Sequence, residues 1–278
     1  MKRYAIFALL ALALSGCDGA IDSEYKEQIV VSAFSYTGHP IDSVILHYTV
    51  PFGSYYDDEK YAVEGADVRV RVDGKDYQLV PGARKGRYYL PDSSLIIQGG
   101  KEYQLFITKG EHFIYAYSKA PMPIQYTGLD DSLPADRILP LDTNNASTFA
   151  YGVTAGPRDE SWRLYMLGVT SLDTTYGRIN ANANAGPPVD TSSVVRYSFI
   201  QTAANVRIYS RLFSYFGPNK LTMLAMDSNW VFYKRQVGYG AESFIPYQSS
   251  LNNVKGGLGV WAIAAKDTAT VFVKLVKN

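Results

Sequence analysis

Apolar residues recur along most of this chain with a period of two, which puts them on one face of an extended backbone and leaves little room for helices. The clearest run is Ala66 to Asp73, where Val68, Val70 and Val72 share one face and Asp67, Arg69, Arg71 and Asp73 the other. Asp73-Gly74, a pair suited to the left-handed backbone of a tight turn, then leads into Tyr77, Leu79 and Val80, predicting a β-hairpin. Similar runs are Gln28 to Tyr36, Ser43 to Val50, Gly86 to Leu90, Glu102 to Thr108 and His112 to Lys119. Seven short strands in about 100 residues suit an immunoglobulin-like or transthyretin-like β-sandwich. The 23 tyrosines agree with this, since the ring packs on a pleated surface while its hydroxyl tolerates water.

From Ala120 to Ser147 the alternation lapses among Pro121, Pro123, Pro134 and Pro140, and the segment reads as a connector because proline denies donors to a sheet. Strands are predicted again at Thr148 to Thr154, Trp162 to Ser171, Val194 to Gln201, Val206 to Phe213, Lys220 to Met226, Leu258 to Ala265 and Thr268 to Val276. One short helix is expected from Asp227 or Ser228, whose oxygens can take up free amides, to about Val237 before Gly238, lying over the sheet. Asn180 to Pro188, poor in apolar residues, reads as a mobile loop. The fold class is therefore all-β, a sandwich followed by a second antiparallel β domain, itself a sandwich or partial barrel.

The first seventeen residues obey a different logic. Lys2 and Arg3 precede an apolar run from Tyr4 to Leu14 that falls short of the roughly 20 residues needed to span a bilayer. Leu14-Ser15-Gly16 then leads to Cys17, the only cysteine. This order is that of a secretory signal peptide, and Leu-Ser-Gly-Cys resembles the bacterial lipobox, in which small residues admit the signal peptidase and the cysteine thiol is acylated. The expected organisation is a signal peptide over 1–16, a lipidated tether over 17–26, the sandwich over 27–120, the connector over 121–147 and the second domain over 148–278. Asp18, Asp22 and Glu24 resemble the acidic export signals of Bacteroidetes surface lipoproteins, so the expected location is the outer membrane, lipid-anchored and facing outward, with the periplasmic face as the alternative.

Cleavage before Cys17 leaves 262 residues and 25 basic against 26 acidic side chains, scattered and alternating in sign, which is no footprint for nucleic acid. With no further cysteine there is no internal disulfide and no thiolate metal site. His39, His47 and His112 lack the spacing of metal ligands, and Asp57-Asp58-Glu59 lacks that of a calcium loop. Gly256-Gly257-Leu258-Gly259 leads into the strand-like Val260 to Ala265 rather than a helix, so it reads as a turn or bulge and not a phosphate cradle. No cofactor or metal is expected and the chain is not read as an enzyme. A glycan-active hydrolase using Asp57 to Glu59 or Asp130-Asp131 is the least favoured reading. Trp162, Tyr165, Trp230 and Tyr233 are the candidate rings for stacking a glycan or peptide ligand.

The run Leu221 to Asp227, the helix holding Trp230 and Tyr233, and Asn253 to Trp261 resemble the C-terminal signature of an uncharacterised Bacteroidetes outer-membrane lipoprotein family, the domain of unknown function 4249. Gly65 to Val68, Gly86-Arg87-Tyr88, Gly100 to Leu105 and Ala120-Pro121 are similar to its N-terminal block, so the resemblance covers most of the chain. Membership implies an outer-membrane lipoprotein often encoded near TonB-dependent receptors, and carries over no functional residues. The expected role is a surface binding or accessory subunit for a TonB-dependent nutrient transporter, with adhesion or envelope structure as the alternative.

Overall fold

The computed structural model describes residues 25–51, 53–91, 95–124, 138–141, 150–154, 164–179, 195–201, 205–209, 212–237 and 253–275. The chain is almost wholly β, with one helix among the described residues. Its first seven strands are β1 (Ile29–Tyr36), β2 (Val44–Tyr48), β3 (Asp67–Val72), β4 (Lys75–Pro81), β5 (Arg87–Tyr89), β6 (Glu102–Lys109) and β7 (His112–Lys119). The alternation is obeyed closely: every second residue of β1 from Ile29 to Ser35 is buried, as are Val68, Val70 and Val72 of β3 and Tyr103, Leu105 and Ile107 of β6. Asp73 and Gly74 take the positive φ values, 51° and 77°, that the β3–β4 turn requires.

β4 joins the two layers of a sandwich. Its first residues pair with β3, Val68 opposite Leu79, and its last with β5, Val80 opposite Tyr89. One layer continues through β5, β2 and β1, the other through β3, β6 and β7. Tyr88 closes the interior: its hydroxyl donates to the Val63 carbonyl at 2.8 Å and accepts the Ala66 amide at 2.9 Å.

The remaining strands are β8 (Ile138–Leu141), β9 (Ala150–Thr154), β10 (Leu164–Ser171), β11 (Val195–Gln201), β12 (Asn205–Tyr209), β13 (Gly217–Met226), β14 (Val254–Lys255) and β15 (Leu258–Leu275). The helix α1 (Ser228–Val237) follows β13. Three features depart from the sequence-based expectation. β8 lies within the expected connector, where Leu139 and Leu141 are buried against the sheet and Pro140 faces outward. The two strands expected either side of Lys266-Asp267 are one 18-residue strand, because β13 pairs straight across the interval, Leu224 with Lys266 and Met223 with Asp267.

The third departure concerns the sheet as a whole. β15 runs parallel to β1 from Leu258 opposite Val30 to Ala264 opposite Tyr36, and parallel to β8 at Phe272 to Leu275. The second half is thus not a purely antiparallel domain beside the first, and the sheet is mixed and continuous across the expected boundary at 120. Trp261 and Ile263 of β15 sit in the core of the sandwich with Leu46, Tyr103 and Ile114. Trp261 is fully buried and its indole N–H donates to the Tyr103 carbonyl at 3.2 Å, binding β15 to β6 across the layers. On the opposite face, Val260, Ala262 and Ala264 pack beneath Trp230 and Val231 of α1. Further along, Ala265, Val271 and Val273 join Tyr165, Leu167 and Met223 in another cluster.

Candidate functional site

Among the described residues, polar and aromatic side chains that could carry chemistry gather in three places. The first is the junction of β7, α1 and β15. Asp227 caps α1: its Oδ1 accepts the Trp230 amide at 2.8 Å, while its Oδ2 accepts the Ser118 hydroxyl at 2.5 Å and the Asn229 side-chain amide at 3.2 Å. Burial pushes the Asp227 carboxyl up to about 6, against the opposing pull of those donors and of the Ile263 backbone. Beside it, Asn253 donates to the carbonyls of Tyr117 at 2.9 Å and Trp261 at 2.7 Å, and its Oδ1 accepts the Trp261 amide at 3.3 Å. Asn229 reaches the same Tyr117 carbonyl at 2.8 Å. These polar residues of the C-terminal signature therefore splice helix, turn and strands together.

Gly259, in the same signature, has a φ of 103°, and a Cβ there would lie 1.9 Å from the Val31 carbonyl oxygen. The glycine lets β15 come alongside β1, while Gly256, at a φ of 79°, belongs to the bend that leads into the strand.

The ring candidates fare differently from their expectation. Tyr165 is buried in the β10–β13–β15 cluster and Trp230 is buried under α1, so neither presents a face for stacking a ligand. Trp230 packs on Phe34 at 4.9 Å and Tyr36 at 5.6 Å between ring centroids, and Tyr233 packs on Phe34 at 5.2 Å. Their apolar faces serve to dock the helix, an outcome consistent with the spacing Trp230, Val231, Tyr233 on one side of α1. Among the described residues no hydrogen-bond partner meets the buried Trp230 Nε1. Trp162 lies outside the described residues, as do Leu14, Ser15, Gly16 and Cys17, Asp130-Asp131 and the Asn180 to Pro188 segment.

A group of exposed aromatic residues lies on the outer face of the β3–β6–β7 layer. Phe113 and Tyr117 of β7 are 59% and 49% exposed. Phe106 of β6 lies 5.3 Å from Tyr115 and 6.5 Å from Phe113, giving a run of four aromatic residues across two strands. Arg71 covers Phe106 at 4.9 Å and holds Asp76 at 2.5 and 2.9 Å, which keeps that carboxyl below its ordinary value. Arg69 lies 3.2 Å from Asp67, and Gln78 donates to Asp67 at 2.9 Å. Arg69 and Arg71 stand against Asp67 and Asp76, and Lys255 of β14 stands opposite Tyr115, so the face is aromatic and polar. The sequence identifies these positions only as the outward side of strands; their assembly depends on the register of β6 on β7, Phe106 opposite Tyr115 and Thr108 opposite Phe113.

The third place is a cavity of about 500 Å³ at the end of the sandwich, between the β3–β4 turn and the 95–101 segment. Asp73, Lys75 and Lys101 stand around it, with Val72, Leu95 and Tyr77 as apolar walls.

The histidines are dispersed: His39 rests edge-on to Tyr36 and His47 to Tyr56, while His112 opens β7. Asp57 accepts the amides of Glu59 and Lys60 at 2.9 and 3.2 Å and so shapes its own turn. Among the described residues no group of three or more His, Cys, Asp or Glu side chains is placed to hold a metal ion. No described helix is long and apolar enough to cross a membrane.

No curated protein matches the chain. Among solved structures, the chicken CNTN1 FN1–FN3 domains align with a TM-score of 0.28 and 11% identity, covering 70% of this chain and 59% of that one, a likeness too remote to speak for this chain. A family model covers residues 19–269, spanning the sandwich, the signature junction and most of β15, and by that match the chain belongs to the DUF4249 family, a domain of unknown function.

Proposed function

We propose that the protein is a lipid-anchored lipoprotein of the outer membrane, acting as a non-catalytic binding or accessory subunit for a TonB-dependent nutrient transporter. The observation that carries the binding role is the exposed aromatic face of β6 and β7. Phe113 and Tyr117 stand exposed on a strand whose alternate residues Ile114, Ala116 and Ser118 are buried in the sandwich. Exposed aromatic groups beside paired arginines are the composition of a contact surface, where flat rings give large buried area at low entropic cost. Tyr117 belongs to that surface and to the α1 junction at once, because its carbonyl accepts both Asn229 and Asn253. A partner seated there would lie against both halves of the chain.

The anchor rests on the order of Lys2-Arg3, the apolar run and Leu14-Ser15-Gly16-Cys17. Outward display follows from the acidic residues behind Cys17, and a glycan or peptide is the class of nutrient an aromatic and hydrogen-bonding face would meet. Cys17→Ser is expected to abolish palmitate labelling and free the protein from the membrane fraction; unchanged labelling would sink the anchor. For the binding role, a photo-crosslinking residue at Phe113 or Tyr117 in intact cells is expected to capture an outer-membrane transporter. No captured transporter, together with no ligand in glycan, peptide and siderophore screens, would leave adhesion or envelope structure as the reading.

A further inference from the structure

We infer that the cavity between the Asp73-Gly74 turn and the 95–101 segment is a binding site for a small organic anion, a carboxylate joined to an apolar body. The inference goes beyond the reading above, since it needs neither a membrane anchor nor a transporter and uses the opposite end of β6 from Phe106 and Phe113.

The first argument is shape. A volume of about 500 Å³ lies in the range of small-molecule sites, and its walls are fixed rather than loose. The 95–98 segment is held from both sides: the Tyr103 hydroxyl accepts the Gln98 amide at 2.7 Å, Ile97 donates to the His39 carbonyl at 2.9 Å, and the Gly38 amide donates to the Ile97 carbonyl at 2.8 Å. Tyr103 is itself fully buried and forms the floor. A pocket built on rigid elements loses little entropy when it is filled.

The second argument is charge. Lys101 and Asp73 satisfy each other at 2.6 Å, and that contact holds the Lys101 ammonium above its ordinary pKa. Among the described residues Lys75 has no such partner. Its ammonium stands 4.7 Å over the Tyr77 ring, and among the described residues no carboxylate pairs with it. The ring face orients a cation without neutralising it. Among the described residues that line it, the cavity thus carries two ammonium groups and one carboxylate, an excess of one positive charge. An anion there meets Lys75 directly and competes with Asp73 for Lys101.

The third argument is the apolar wall. Val72 and Leu95 are buried at the cavity's back, while Ile96 remains 41% exposed at its edge, a large aliphatic surface left in water beside a cationic mouth. Inorganic phosphate would satisfy the lysines and leave that wall wet. An aromatic or short aliphatic carboxylate covers both.

The test uses the mature chain at low ionic strength, with benzoate, its neutral counterpart benzamide and inorganic phosphate titrated separately and amide resonances followed by NMR. Benzoate is expected to saturate, moving resonances of Asp73, Lys75, Ile96 and Lys101, with benzamide binding at least about fivefold more weakly, the loss of one exposed ion pair. Lys75→Met is expected to weaken benzoate about fivefold while leaving benzamide unchanged. Asp73→Asn, which keeps a residue tolerant of the φ of 51° at that turn, is expected to tighten benzoate by releasing Lys101. Resonance changes that do not saturate or that lie outside the cavity, equal affinity for benzoate and benzamide, or indifference to Lys75→Met would each overturn the site. Phosphate binding as tightly as benzoate would overturn the apolar half of the inference. Both substitutions are on exposed side chains, and an unchanged spectrum elsewhere certifies the fold.

Discussion

Asp227 shows how one side chain can couple the fold to pH. Its carboxyl is buried at the α1 cap and pushed up to about 6 from an ordinary 3.8, chiefly by loss of water. The native state therefore keeps a proton that the unfolded chain gives up above about pH 4, and stability falls as pH rises from there through about 6. A carboxyl displaced that far links folding to pH by about 3 kcal/mol across the window. Asn is a good helix cap and does not titrate, so Asp227→Asn provides the reference. Urea denaturation at intervals from pH 4 to 7 is expected to show the native protein losing stability relative to the variant across that window. A constant difference would mean that Asp227 is ionised throughout. The contact with Ser118 suits either form, since hydroxyl and carboxyl can exchange donor and acceptor roles over the same 2.5 Å. That Asp227 caps a helix is legible in the sequence, because capping is a local matter of residue type and position. Ser118 is not, since it comes from β7, 109 residues earlier.

Among the elements, β15 carries the greatest burden, and Gly259 is the position where that is easiest to test. Any side chain there meets the Val31 carbonyl and a positive φ at once. Gly259→Ala is expected to cost about 2 kcal/mol or more, as left-handed strain and a backbone displacement add. Its signature should be hydrogen exchange, with loss of protection in β1 and the first half of β15 ahead of β6 and β7. Equal protection in all four strands would contradict the contact. At this scale the first seven strands are legible because each has one buried and one wet face, which writes an alternating pattern into the residues. β15 reads locally as two strands for a related reason. Its first part is covered by the sandwich on one side and α1 on the other, so Val260 to Ala265 are all buried, while Lys266-Asp267 looks like a turn. Pairing with β13, unseen in the local pattern, carries the strand across. β8 is hidden by Pro140, which is tolerated because its side chain faces out and the neighbouring Leu139 and Leu141 supply the buried surface. The ring candidates meet the same limit of local reading: Trp230 and Tyr233 stand out in the sequence, but whether an aromatic docks a helix or awaits a ligand depends on what lies opposite, here Phe34 and Tyr36 of β1.

In the whole molecule, the two halves share a strand, and this limits how the chain can be divided. A fragment ending at residue 120 contains β1 to β7 but lacks Trp261 and Ile263 from its core and, of the two strands that pair with β1, keeps β2 and loses β15. Loss of a buried tryptophan alone costs about 3 to 5 kcal/mol, comparable with much of the stability of an average domain. The fragment 27–120 is therefore expected to give poorly dispersed amide resonances and no cooperative thermal transition, and a well-folded fragment would show that β15 is dispensable to the sandwich. The same arrangement has a consequence in time. Val30 pairs with Leu258, so a ribosome has made nearly the entire chain before β1 can meet its central neighbour. Contacts of such long range are slow to form, because loop closure must precede the gain that rewards it. Until then the nascent chain holds a row of unpaired strand edges and an incomplete core, a state open to aggregation until β15 arrives to close it.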